Sequence, residues 1–149
     1  MALSLQQIND RFEIKHLVDH FSNLADVKDV DAQMPLFAED AEVATYIQGE
    51  LFANAQGRAA ISEVFKGYLA QFHTVYHLNG QQTVEFTGAD TAEGITYCQV
   101  ALVAEKDGAD ELLTHYVRYN DSYARIGGKW LIQKRVADFL YSETRKVEK

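Results

Sequence analysis

The 149-residue chain has one cysteine, Cys98, one proline, Pro35, and fewer basic than acidic residues, 14 against 22. A lone cysteine closes no intramolecular disulfide, and there is neither a CxxC pair nor a glycine-rich phosphate loop, so no zinc or nucleotide site is expected. The formal net charge of −8 repels a phosphate backbone. The basic clusters Lys134-Arg135 and Arg145-Lys146 are too small to reverse that, so no nucleic-acid partner is expected. No apolar run approaches the roughly 20 residues of a membrane-spanning helix. The opening MALSLQQINDRFEIKH carries charges where a signal peptide needs an apolar core. A cytoplasmic protein without a membrane partner is the default expectation. Repeats and low-complexity runs are also missing.

What is present is ordinary in proportion: 47% hydrophobic and 24% charged residues argue against disorder and for one domain over residues 1–149 with a single core. Ser4 with Gln7 three residues later makes a capping box. Ile14, Leu17, Val18, Phe21, Leu24 and Ala25 then recur at helical spacing, predicting a first helix to about residue 26. Asp29 or Asp31 can cap a second short helix over DAQMPLFAED, with Met34, Phe37 and Ala38 on its apolar side and Pro35 near its first turn. EVATYI and ELFANA flank Gln48-Gly49 and read as a hairpin. In GRAAISEVFKGYLAQF, residues Ile61, Val64, Phe65, Tyr68 and Leu69 fall at helical spacing, predicting a third helix over roughly residues 58 to 71.

Everything after His73 is strand-like, and Gly88-Ala89-Asp90, Asp107-Gly108 and Gly127-Gly128 divide it into four segments of an antiparallel meander. Asn79-Gly80 inside the first segment points to a bulge, the device that curls a sheet around a pocket. Helices first and strands afterwards give an α+β architecture with the helices packed across one face of the sheet. ITYCQVALVA is apolar at both parities: Ile95, Tyr97, Ala101 and Val103 on one side, Cys98, Val100, Leu102 and Ala104 on the other. Both faces therefore need cover, and the helices supply it for one. The outer face is expected to meet a second copy of the chain, making a homo-oligomer.

LFAEDA, GRAAI and RYNDSYARIGGKWLI, read with Asp26 in NLADVKD and the histidine-bearing VYHLNG, resemble the nuclear transport factor 2-like superfamily in its SnoaL-like branch over nearly the whole chain. The resemblance implies a cone-shaped, cystatin-like fold in which a curled antiparallel sheet and three N-terminal helices enclose a deep pocket. That frame serves dehydratases, dehydrochlorinases, isomerases, cyclases, epoxide hydrolases and proteins without a catalytic role, so function rests on the inward polar residues. In scytalone dehydratase, hexachlorocyclohexane dehydrochlorinase and bile-acid dehydratase, a histidine on the first long strand works with an aspartate at the end of the first helix. His77 and Asp26 occupy those places here, and Tyr46 matches a substrate- or water-binding tyrosine of scytalone dehydratase. Ala25, Ala104 and Tyr119 replace other polar residues of that enzyme, which implies a different substrate.

Neutral imidazole has an ordinary pKa near 6.5 and accepts a proton at physiological pH. An aspartate bonded to its other nitrogen fixes the tautomer and stabilises the imidazolium. The expected activity is therefore that of a cofactor-free lyase or isomerase. His77 would abstract a proton from an apolar, oxygenated ring compound, aromatic or polycyclic, with Asp26 as orienting partner and Tyr46 as polar contact. The alternative is a non-catalytic small-molecule-binding or assembly domain, in which the same pair is merely structural. Phe21, Cys98, His115 and Tyr119 are the remaining candidates for substrate contact. Parity leaves open whether His115 and Tyr119, or Tyr116 and Arg118, face the pocket. Cys98 has no neighbouring base and reads as core or pocket wall. His16 and His20 stand at a spacing that can place two imidazoles on one metal, but without the zincin glutamate and with His16 toward solvent, no metal is expected.

Overall fold

The computed structural model describes residues 2–148. The capping box forms at both of its bonds. Gln7 N–H donates to Ser4 Oγ at 3.1 Å and Ser4 N–H to Gln7 Oε1 at 3.0 Å, starting helix α1 (Leu5–Asp26). Its buried stripe holds Ile14, Leu17, Val18, Phe21 and Ala25. Lys28, with φ of +59°, takes the chain out of the helix in the left-handed region, so that Asp26 closes the last turn.

Asp29, rather than Asp31, caps α2, accepting from Ala32 N–H at 3.1 Å. The second helix is shorter than its sequence suggests: α2 (Val30–Gln33) passes into one 3₁₀ turn at Met34–Leu36, and Phe37 already begins strand β1 (Phe37–Ile47). Phe37 pairs with Ile132 across the sheet, and this long-range pairing outweighs the helical spacing of Met34, Phe37 and Ala38. Gln48 and Gly49, both at positive φ, turn β1 into β2 (Glu50–Gln56). Helix α3 (Arg58–Leu69) leads to the meander: β3 (Thr74–Phe86), β4 (Thr91–Lys106), β5 (Ala109–Ile126) and β6 (Lys129–Lys146).

The sheet order is β2-β1-β6-β5-β4-β3, antiparallel throughout except for the parallel β1–β6 pair. The sheet curls without closing, and α1 packs on β3 while α3 packs on β1 and β2 at the opposite side. The architecture is thus α+β, with the core between the helices and the concave face. Alternation along β4 is strict there: Thr96, Cys98, Val100 and Leu102 are buried while Ile95 and Tyr97 are exposed.

Among the register slips that bend the sheet, those on β3 and β6 decide which side chains reach the interior. The ladder slips between Asn79 and Gln82 on β3, the place marked by Asn79-Gly80. On β6, Ser122 pairs with Lys134 but Tyr123 with Ile132, so Gln133 is the extra residue. Leu140 is extra in the same way between the pairs Tyr116–Tyr141 and Val117–Phe139. Each extra residue inverts the inward parity of the rest of its strand. No helix among the described residues is long and apolar enough to cross a membrane.

Candidate functional site

A cavity of about 330 Å³ opens between α1, α3 and the concave face, within the size range of small-molecule sites. Its walls are mainly apolar, Phe21, Phe65, Leu69, Val100, Leu102 and Phe139 among them. Ile47, Phe52 and Val64 line it too while remaining substantially exposed, which makes an apolar mouth.

Asp26 and His77, 51 residues apart, meet at one wall. Asp26 Oδ1 accepts from the His77 backbone N–H at 2.9 Å and from ring Nδ1 at 2.7 Å. A carboxylate has no proton to give, so this contact puts the ring hydrogen on Nδ1 and leaves Nε2 with a free lone pair. The His77 side chain is only 8% exposed and lines the cavity; that of Asp26 is 27% exposed. The pair is held by a seam one helical turn earlier, where Asn79 Nδ2 donates to Ser22 Oγ and Asp19 Oδ1, each at 3.0 Å, pinning β3 to α1.

Arg135 lines the same cavity and is 1% exposed. Its Nε and Nη2 donate in a fork to Asp121 Oδ1 and Oδ2, both at 2.8 Å, and Tyr123 Oη donates to Asp121 Oδ2 at 2.7 Å. Burial disfavours the guanidinium, but the Asp121 carboxylate overcomes this and holds the Arg135 pKa above the ordinary arginine value. The group stacks 3.9 Å from the Tyr119 ring centroid and 4.6 Å from that of Phe21. Nη1 has no hydrogen-bond partner among the described residues, and neither has Gln33 Oε1, another buried atom of a lining residue. Both residues line the cavity, so a guanidinium and an amide sit within its wall.

A third polar group sits on β5. His115 Nε2 lies 2.6 Å from Tyr68 Oη of α3, and Nδ1 lies 2.6 Å from Ser142 Oγ of β6. The Phe139 ring packs edge-on at 4.7 Å. Burial lowers the His115 pKa to about 4 and raises that of Tyr68 to about 12, so both are neutral at pH 7. A histidine whose folded pKa lies below its unfolded value binds fewer protons in the native state. Its stabilising contribution is therefore complete above about pH 6.5 and is lost as pH falls towards 4. We expect the native protein to lose on the order of 2 kcal/mol more stability between pH 7 and 4.5 than a His115→Gln variant. Thermal melts of both proteins at the two pH values measure this directly.

The family model of the SnoaL-like domain matches residues 6–136. The chain belongs to that family. An uncharacterized protein of Mycobacterium tuberculosis H37Rv is 29% identical over 135 residues, covering 90% of this chain and 88% of its own. Among solved structures of this nuclear transport factor 2-like, cystatin-like fold, a candidate scytalone dehydratase of Novosphingobium aromaticivorans superposes with a TM-score of 0.81 at 20% identity, covering 95% of this chain and 91% of its own. A hexachlorocyclohexane dehydrochlorinase of Novosphingobium barchaimii superposes at 0.78 with 18% identity, covering 95% and 93%.

In this SnoaL-like domain, Phe21, His77, His115 and Tyr119 line the cavity, with Asp26 behind His77. The parity of β5 is thereby decided: His115 and Tyr119 face inward, Tyr116 and Arg118 outward. Two expected contacts require correction. Tyr46 is not a lining residue, because Val43, Thr45 and Ile47 share the inward parity of β1. Cys98 is buried outside the lining; burial pushes its thiol up to about 11, and Tyr119 is its side-chain partner. Asp121 of β5 and Arg135 of β6 are cross-strand partners and form a fully buried ion pair. His16 and His20 stack at 5.7 Å on the outer side of α1, and the described residues contain no group of three or more His, Cys, Asp or Glu side chains that could hold a metal ion.

Arg135, Gln33 and Tyr68 escape the sequence reading. Counting by twos from the buried Trp130 and Ile132 places Lys134 inward, and only the extra residue at Gln133 turns Arg135 in. Its pairing with Asp121 depends on the same slip in register, so no local sequence signal marks it.

Proposed function

We propose that this SnoaL-like domain is a cofactor-independent lyase or isomerase of the dehydratase type. The observation that carries the reading is the 2.7 Å bond from His77 Nδ1 to Asp26, which leaves Nε2 as a free base at the wall of an apolar cavity. His77 Nε2 takes a proton from carbon next to a carbonyl or similar activating group. The C–H electron pair becomes the new double bond, and a hydroxide or halide leaves on the far carbon with its own bonding pair. The imidazolium forms beside an aspartate at the negative end of α1, which favours the positive charge. The Arg135 guanidinium, a lining residue that keeps its positive charge through Asp121, stabilises the negative charge that develops on the enolate oxygen or the leaving group. The substrate is a small apolar ring compound with at least one oxygen function. The dehydratase and dehydrochlorinase named among the structural neighbours support elimination as the reaction type.

The test uses NMR in D₂O. Six-membered and fused-ring ketones carrying a β-hydroxyl or β-chloro substituent are incubated with the protein, and loss of the α-proton signal or appearance of the alkene is followed. Exchange or elimination above the buffer rate supports the reading. Rings that bind in the cavity and show neither establish a binding domain instead.

The convex face of the sheet supports self-association. Tyr76, Leu78, Ile95, Tyr97 and Tyr141 expose between 38% and 57% of their surface there. We propose that this face forms a homo-oligomer. Sedimentation velocity at micromolar concentration is expected to show a dimer or larger species that Tyr97→Glu reduces to monomer; a monomeric native protein counts against it.

A further inference from the structure

His77 pairs with Val100, Val100 with His115, and His115 with Ser142, so four strands contribute to one rung of the sheet. Adjacent strands lie roughly 4.8 Å apart, which separates the backbones of His77 and His115 by roughly 10 Å. The curl of the sheet turns both imidazoles into one cavity, with Val100 between them on its floor. The cavity that His77 lines also has the Arg135 guanidinium in its wall. The wall of His115 has a different device.

Ser142, His115 and Tyr68 form a chain of two hydrogen bonds, each 2.6 Å long. A serine hydroxyl, a neutral imidazole and a phenol together carry three hydrogens, and the two internal bonds use two. One donor is always left at an end. With the ring hydrogen on Nδ1, it is the Ser142 hydroxyl, which is exposed and can bond to water. With the hydrogen on Nε2, Ser142 donates to Nδ1, the ring donates to Tyr68 Oη, and the Tyr68 hydroxyl is free to donate into the cavity. Exchange between the two forms moves no net charge. The neutrality of both titratable members at pH 7 keeps either form open. On the side of α3, Tyr68 is the titratable group facing His115; on β6 the Ser142 hydroxyl, which does not titrate, faces it beside the apolar Phe139.

We propose that Tyr68, set by His115 and Ser142, is an anchor for a second, neutral oxygen of the ligand, so that the compound held against His77 carries oxygen functions at both ends of its ring system. This rests on reading the cavity as the substrate site of His77. It narrows the substrate class from any oxygenated ring to fused or linked rings with two separated carbonyl, ether or hydroxyl oxygens. Because the anchor can switch between donating and accepting, it accepts a carbonyl or a hydroxyl at that end, while an anion there gains no countercharge from either neutral group.

The experiment compares 2-naphthol with naphthalene-2,6-diol as unreactive probes by titration calorimetry. The native protein is expected to bind the diol about tenfold more tightly, and Tyr68→Phe to bring the two affinities within about twofold of one another. Phenylalanine preserves the ring packing against Phe72, seen at 5.3 Å in the native side chain. Nitrogen-15 NMR of His115 in the native protein gives an independent reading, with the Nε2–H form expected to grow on adding 6-methoxy-2-naphthol, whose ether oxygen can only accept at the anchor. Equal affinities in the native protein, a preference that survives Tyr68→Phe, an unchanged His115 tautomer, or no binding of either probe at millimolar concentration overturns the anchor. Failure of α-proton exchange leaves the probe preference untouched and counts only against His77 as a base.

Discussion

Replacing His77 by Gln is expected to lower kcat/KM for any compound eliminated in this cavity by about 10² to 10⁴-fold, the usual worth of a positioned general base. Glutamine keeps a polar side chain at the 8%-exposed position but has no group that accepts a proton near neutral pH. Asp26→Asn is expected to fall less, by about 10²-fold, because an amide oxygen still accepts from Nδ1–H while the charge that stabilises the imidazolium is gone. Both losses should lie mainly in kcat, since neither group is needed to bury the apolar ring. Steady-state kinetics on a compound found by the exchange experiment, with circular dichroism and melting curves to show intact folds, measures this. A His77→Gln variant with native turnover removes the proposed chemistry, whatever its structure.

The largest effect on stability is expected at Asp121. Asp121→Ala leaves the Arg135 guanidinium buried at 1% exposure with its fork of two 2.8 Å bonds gone, and it also removes the carboxylate that accepts from the Tyr123 hydroxyl. Breaking one side of a buried ion pair costs about 3–5 kcal/mol, which for a chain of this length lowers the melting temperature by roughly 10 °C. Removing both charges is a different matter. Asp121→Leu with Arg135→Met eliminates the desolvation penalty together with the attraction, and the double variant is expected to lie within about 1–2 kcal/mol of the native protein. If the double variant is stable yet inactive, the pair is retained to hold a cation at the cavity. If it is as unstable as Asp121→Ala, the pair is needed for the fold itself. Melting curves of the three proteins decide between these, and the activity assay is then read only on those that fold.

The sequence carried the scaffold well where its signals are local. Ser4 and Gln7, the apolar stripe of α1, and the paired glycines at 127 and 128 act within a few residues, and the structure follows them. The second helix shows the limit: helical spacing of Met34, Phe37 and Ala38 was overruled by a strand partner 95 positions away, Ile132 against Phe37. The meeting of Asp26 and His77 was legible only through resemblance to a family pattern, since nothing in their spacing brings residues 51 apart together. Tyr46 was drawn from the same pattern, and ordinary strand parity keeps it out of the cavity. Arg135 was hidden for the opposite reason, because strict alternation faces it outward and one bulged residue turns it inward.

Composition, caps, turns and periodicity by themselves determined an α+β chain with three helices ahead of a meander, because each of those signals is read by neighbouring backbone. Which polar atoms share the cavity was decided only in three dimensions. Side-chain direction in a strand inverts with every extra residue, and a hydrogen bond across the sheet exists only once registers and bulges are fixed.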